Sequence, residues 1–281
     1  MWKGLAVTRG ISQTGMLASA GTGNCYSHYV YFHDHDSSFL TENVCRYVAE
    51  GLSLGENAIL ITTANRIEAF TAELEKQAVD TADCIRSQRL IFRGAEETLA
   101  QVILDGEPGW DRFDASVGEL VRGSLARAER GVRAYGDMVG LLWNSGHSLA
   151  AERMEEFWNR LLQSNRFSLF CAYQIDRFGK EFQTAVLDRI LRAHTCLVSS
   201  QTSDSLYNAI IRSTQEIFGV NGAKTLAHSK FDSSWPAMPD AEAAILWLRN
   251  NLPDYVDEIL TRARRYYQAS SQHRDSAYQL R

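Results

Sequence analysis

Apolar positions along this chain follow two periods in turn. From Ser148 to about Gln163, Leu149, Met154, Phe157, Trp158, Leu161 and Leu162 recur at helical spacing and leave a charged opposite face. That predicts an amphipathic helix. After Arg166 the run FSLFCAY is almost wholly apolar and rich in aromatics, as in a strand buried on both faces of a parallel sheet. Helix, polar connection and strand together form one α-to-β unit of a central sheet.

The same alternation holds upstream. HYVYF, from His28 to Phe32, predicts a first strand, followed by the polar loop HDHDSS. Ser37 or Ser38 can cap a helix running to about Leu52, with Phe39, Leu40, Val44, Tyr47 and Val48 on its apolar side. Asn57–Thr63 predicts a second strand, and a helix from about Arg66 to Gln77 follows. A short strand is expected at Arg89–Phe92, a helix at Ala95–Leu104, a turn at DGEPGW and a helix from Asp111 to about Glu129. Val132–Tyr135 is a weak strand pattern that leads into a short helix containing Met138, Leu141 and Leu142. Phe178–Arg192 reads as a further helix.

Connections mostly too long for hairpins point to an α/β fold with a doubly wound, mostly parallel sheet. Beyond about residue 200 the strand pattern stops. Leu206, Ile210, Ile211 and Ile217 share a helix face, the stretch from Asn221 to Asp240 reads as a loop, and residues 240–250 and 253–269 read as helices, with Pro253 at a helix start. This gives an N-terminal arm (1–25), a central domain (26–200) and a C-terminal helical appendage (201–281).

Composition narrows the class. The chain has 281 residues, 45% hydrophobic and 22% charged, with a net charge of −5. A core of useful size is available, and no general electrostatic attraction to nucleic acid or an anionic membrane is expected. The basic stretch LTRARRYYQASSQHR reads as a solvated helix face. The five cysteines form no CxxC pair, which fits a reducing compartment and no disulfide framework. No apolar run reaches the ~18 residues of a membrane span, and the N-terminus lacks a signal-peptide core. The expectation is a soluble, cytoplasmic protein.

Candidate chemistry belongs beyond the carboxyl ends of the strands, where open α/β sheets bind ligands. The loop after the first strand has no glycine and no lysine, and carries acids where a nucleotide's phosphates would sit. ATP is therefore not expected. GTGN at Gly21 precedes a strand instead of following one, so it reads as a lead-in and not a phosphate loop. His33, Asp34, His35 and Asp36 offer divalent-metal ligands, or simply solvated helix-capping groups. Asp137, after the Val132 strand, stands where triphosphatases hold Mg²⁺, or where a helix dipole favours an acid. Cys171 and Tyr173 close the FSLFCAY strand, as core or as pocket; Trp143 could line an apolar pocket beside them. A metal- or redox-responsive alternative draws on His28, His33, His35, Cys171 and His194, and a degenerate nucleotide-binding switch of KaiC type is the other alternative.

SHYVYFHDHDSSFLTENVCRYVAEGLSLGENAILITT resembles the opening of the MEDS domain, the sensory domain of the dichloromethane-responsive repressor and its methanogen and methylotroph relatives. The resemblance runs through His28, the YVYF run, Asp34, Gly51-Leu52 and Gly55-Glu56. Gly136, Asp137, Met138, Leu142 and Trp143 resemble a second block, Glu155 and Trp158 a third, and FSLFCAY and AHTCLV the last two. The resemblance covers about residues 26 to 200. The family more often has Glu where this chain has Asp137, and an aromatic where it has His33.

The resemblance implies a RecA/KaiC-like sheet without the phosphate loop, and a sensory, regulatory domain that is not an enzyme. The implied ligand is a small, hydrocarbon-derived molecule, with Asp137, Trp143, Cys171 and Tyr173 as the candidate ligand-binding residues. His28, His33, His35 and His194 are the candidate metal ligands, with a divalent metal as the candidate cofactor. The expected partner is a signalling or regulatory protein, and a homodimer is compatible with the sequence.

Overall fold

The computed structural model describes residues 27–33, 38–198, 203–228 and 238–278. The expected arm over residues 1–25 and its Gly21 motif lie outside the described residues, as do Asp34, His35, Asp36 and Ser37. In chain order the central elements are β1 (His28–His33), α1 (Ser38–Ser53), β2 (Asn57–Thr62), α2 (Ala64–Lys76), α3 (Thr81–Arg86), β3 (Leu90–Gly94) and α4 (Ala95–Val102). A small hairpin follows, β4 (Ile103–Leu104) and β5 (Glu107–Pro108). Then come α5 (Trp110–Phe113), a π-helical turn over Asp114–Gly118, α6 (Glu119–Leu125), β6 (Val132–Gly136), α7 (Met138–Asn144), α8 (Ser148–Ser164), β7 (Phe167–Gln174), α9 (Thr184–Ala193) and β8 (Cys196–Leu197). The C-terminal region is α10 (Ser203–His228), α11 (Asp240–Asn251) and α12 (Val256–Tyr278).

Six strands form one sheet in the order β3-β2-β6-β7-β1-β8, and every neighbouring pair is parallel. The doubly wound α/β expectation holds. Alternating side chains divide the core in two, because successive residues of a strand point to opposite faces. Tyr31, Ala58, Leu60, Tyr135, Phe170 and Ala172 meet α1, α2 and α3 on one face. Val30, Phe32, Ile59, Ala134, Leu169, Cys171 and Tyr173 meet α7, α8 and α9 on the other. The second core continues without a break into Leu206, Ile210, Ile245, Leu248, Ile259 and Ala263 of the C-terminal helices.

Several local expectations need correction. Leu149 is not in the apolar stripe of α8; it is 70% exposed, and Ala150 and Ala151 face inward instead. The expected helix from Phe178 begins only at Thr184. Phe182 is instead turned into the core, edge-on to Phe32, and Gln183 is extended. After the last helix of the domain Cys196 lies in the edge strand β8, paired with Tyr29, where no strand was expected. The turn expected at DGEPGW is present, closing the β4–β5 hairpin: Asp105 and Gly106 both have positive φ, the conformation that Asp-Gly supplies in two-residue β-turns. Residues 221–228, expected as loop, are helical: α10 breaks at Gly219 (φ 72°) and resumes, with Ala223 and Leu226 buried.

Candidate functional site

The candidate residues fall in two polar clusters of the sheet domain. The first is at the carboxyl end, where β2, β6, β7 and β1 finish. Asp137 follows β6 directly, and its amide donates to Ile61 O at 2.8 Å. Its carboxylate is fully engaged. Thr62 Oγ1 donates to Oδ2 at 2.6 Å and Tyr135 O–H to Oδ1 at 2.5 Å, while the Arg66 guanidinium pairs with Oδ1. Burial, and then the Asp137 charge, hold the Tyr135 phenol well above its usual range, so it stays a donor. Asp137 caps α7 in position but makes no side-chain cap hydrogen bond. A small cavity of about 80 Å³ opens here, lined among others by His33, Arg66, Asp137, Asn144 and Gln174. Gly140 lets α7 press onto β7: a Cβ there would stand 2.6 Å from Ala172 O.

The second cluster lies between the sheet and α8. His28 and Cys171 sit on neighbouring strands, on the same face, with His28 in register with Leu169. Glu155 of α8 points down onto them, and His194 comes in from the end of α9. His28 Nε2 lies 3.3 Å from Glu155 Oε2 and 3.4 Å from Cys171 Sγ. His194 Nε2 lies 3.3 Å from Glu155 Oε1. Tyr173 O–H donates to Glu155 Oε1 at 2.5 Å. All five side chains are buried, and the two imidazole rings are 4.0 Å apart.

Both imidazoles are oriented from behind. His28 Nδ1 stands 3.0 Å from Ala193 O and 3.0 Å from Asn159 Oδ1, and His194 Nδ1 stands 2.7 Å from Ile190 O. A carbonyl only accepts, so both rings carry their proton on Nδ1 and turn Nε2 toward Glu155. Burial, and then His194, push the His28 imidazole below its ordinary value. Burial works to raise the Glu155 carboxyl, but the two histidines outweigh it and hold it well below the usual carboxylate range. Burial, with Glu155 adding, pushes the Cys171 thiol and the Tyr173 phenol far up.

The candidate residues are thus sorted differently from the expectation. Cys171 and Tyr173 are not among the residues lining the carboxyl-end cavity: both face α8. Trp143 touches Tyr173 edge-on, with ring centroids 5.8 Å apart. Of the four ligand candidates only Asp137 lines the cavity. Among the metal candidates, His28 and His194 come together. His33 is separated from them, because five residues of strand put it on the opposite face, stacked on Tyr31. His35 is outside the described residues. Glu155, the hub of the buried cluster, is absent from the candidates the sequence suggests. The available signal was its place at Ala151 + 4 and Trp158 − 3, a carboxylate on the apolar stripe of α8.

The fold is therefore a doubly wound α/β domain with an ion-paired carboxyl end and a buried polar hub. One family matches it: MEDS, described as the methanogen/methylotroph, DcmR sensory domain, over residues 27–195. The chain belongs to this family, and its role is sensory and regulatory. No curated protein matches the chain. No helix among the described residues is long and apolar enough to cross a membrane.

Proposed function

We propose that this chain is a non-enzymatic sensor that takes a small molecule at the carboxyl end of the sheet and reports it to a regulatory partner through the C-terminal helices. One observation carries the reading. Gln174 lines the cavity, and the residues that follow it, Asp176–Gly179, are the anchor of α11 and α12. Arg177 donates to Glu242 Oε1 at 3.1 Å in a pair only 4% and 5% exposed. Arg249 donates to the Phe178 and Gly179 carbonyls, Arg264 pairs with Asp176, and the Phe178 and Tyr267 rings pack 5.8 Å apart. A ligand that moves the end of β7 thereby acts on both helices. The effect depends on the ligand favouring one arrangement of them over the other.

The cavity admits a molecule of only a few non-hydrogen atoms, and its walls are largely polar, with Arg66, Asn144 and Gln174 among the contacts and the Asp137 carboxylate already held by its own partners. A hydrocarbon-derived molecule carrying an oxygen function suits these walls better than a bare hydrocarbon. The Arg66–Asp137 pairing and the acid-rich HDHD sequence after β1 both speak against a nucleotide-triphosphate site.

A thermal-shift screen of small alcohols, acids, halocarbons and nucleotides, followed by hydrogen exchange on each hit, tests the reading. Hits should raise the melting temperature and alter exchange within residues 240–278. Stabilisation by nucleotides alone, or hits that leave the C-terminal helices unchanged, would overturn it.

A further inference from the structure

We propose that His28, His194, Glu155 and Cys171 hold one transition-metal dication of the zinc class. Their four ligand atoms all lie within 4.8 Å of one another. Four of the six pairs stand 3.3 to 3.8 Å apart, with His28 and Cys171 on Glu155 Oε2 and His194 on Oε1. Bonds of about 2.0–2.3 Å in a tetrahedron place neighbouring ligand atoms about 3.3–3.8 Å apart. The cluster is spaced as the shell around such an ion.

The histidines are set as ligands are. Each donates Nδ1–H to a backbone carbonyl, Ala193 O for His28 and Ile190 O for His194, which fixes the ring and leaves the Nε2 lone pair facing inward. His194 Nε2 is buried and has no hydrogen-bond partner, although Glu155 Oε1 is only 3.3 Å away. Lone pairs facing a carboxylate repel unless a cation lies between them. Protons alone would require an imidazolium at His194, its ring centroid 4.0 Å from the His28 ring, while Cys171 S–H faces His28 Nε2 at 3.4 Å. A dication with two neutral imidazoles, one carboxylate and one thiolate sums to zero charge. It also turns Cys171, a buried thiol beside a carboxylate, into a satisfied ligand.

Two imidazoles and a thiolate select zinc-class ions over Mg²⁺ or Ca²⁺, which take oxygen ligands. Four protein ligands leave no open position for a substrate, so the ion ties β1, β7, α8 and the end of α9 together and does not act as a Lewis acid. On binding, the Cys171 S–H proton leaves to solvent as the S–metal bond forms. This inference stands apart from the small-molecule reading: the metal site and the carboxyl-end cavity share no residue.

The full chain, purified without a metal-binding tag, is the test material. Elemental analysis should find about one metal per chain. Chelator-stripped protein reconstituted with Co²⁺ should show tetrahedral d–d absorption and a thiolate-to-cobalt charge-transfer band. Cys171→Ser should remove the charge-transfer band and keep the d–d absorption; His194→Gln should weaken cobalt affinity at least about tenfold. The unaltered protein provides a check that needs no variant: zinc should release at least about one proton per ion and protect Cys171, but not Cys196, from alkylation in mild denaturant. Failure to take up stoichiometric metal, a charge-transfer band that survives Cys171→Ser, or alkylation of Cys171 indifferent to zinc would each overturn the assignment.

Discussion

Asp137 receives the side chains of Thr62, Arg66 and Tyr135, supplied by two strands and a helix. The Arg66 side chain is 26% exposed, so water already meets part of its charge. Asp137→Asn keeps the shape but turns one acceptor into a donor facing donors. The expected loss is about 1–3 kcal/mol, read as a lower urea midpoint with an unchanged slope. A loss near zero would mean that Arg66 finds another acceptor. At the same scale the histidines show what one-residue arithmetic decides. His28 and His33 sit in the same strand, yet the odd spacing sends them to opposite cores. His194, far off in sequence, completes the His28 cluster because β8 pairs beside β1, where Thr195 N donates to His28 O at 2.8 Å.

At the scale of elements, the close approach of α7 to β7 depends on Gly140. An alanine there gains roughly 1 kcal/mol of helix propensity. Its Cβ, however, would lie 2.6 Å from a backbone carbonyl that cannot rotate away. The clash should win, with Gly140→Ala costing about 1–3 kcal/mol. Gly136→Ala meets only the edge of Trp158 at 3.5 Å and should cost less than about 1 kcal/mol. Equal effects of the two substitutions in thermal unfolding would refute this account of the α7–β7 contact. Most elements were legible because their apolar spacing is strong: α1, β2, α8 and β7 fall within a residue or two of expectation. Those that differed lack such a pattern. β8 is two residues long, and the segment after β7 is shaped by what docks on it.

Across the whole molecule, the C-terminal helices share the core of the sheet domain and are held by the buried Arg177–Glu242 pair. Removing one partner strands the other charge, so Arg177→Ala should cost about 3–5 kcal/mol, and Arg177→Met with Glu242→Met should recover most of that loss. Denaturant unfolding of the three proteins checks this; a double variant as weak as the single one would show that packing, and not charge, holds the junction. A chain stopped at Val198 would strip Tyr267 from Phe178 and Glu242 from Arg177. We expect it to associate in size-exclusion chromatography. A monomer with an unchanged melting temperature would show that the helices are energetically separate.

The sequence by itself determined the parallel α/β class, the order of the main elements and the family, because periodicity and ordered motif blocks are local properties of a chain. It also supplied Asp137, His28, His194, Cys171 and Tyr173 as residues of interest. Only the tertiary structure decided how they group. Cys171 and Tyr173 turn away from the cavity to meet Glu155, His28 joins His194, His33 faces the other core, and Asp137 is closed by Arg66. Strand pairing and helix docking bring together residues more than a hundred positions apart, and no spacing along the chain encodes which of them will meet.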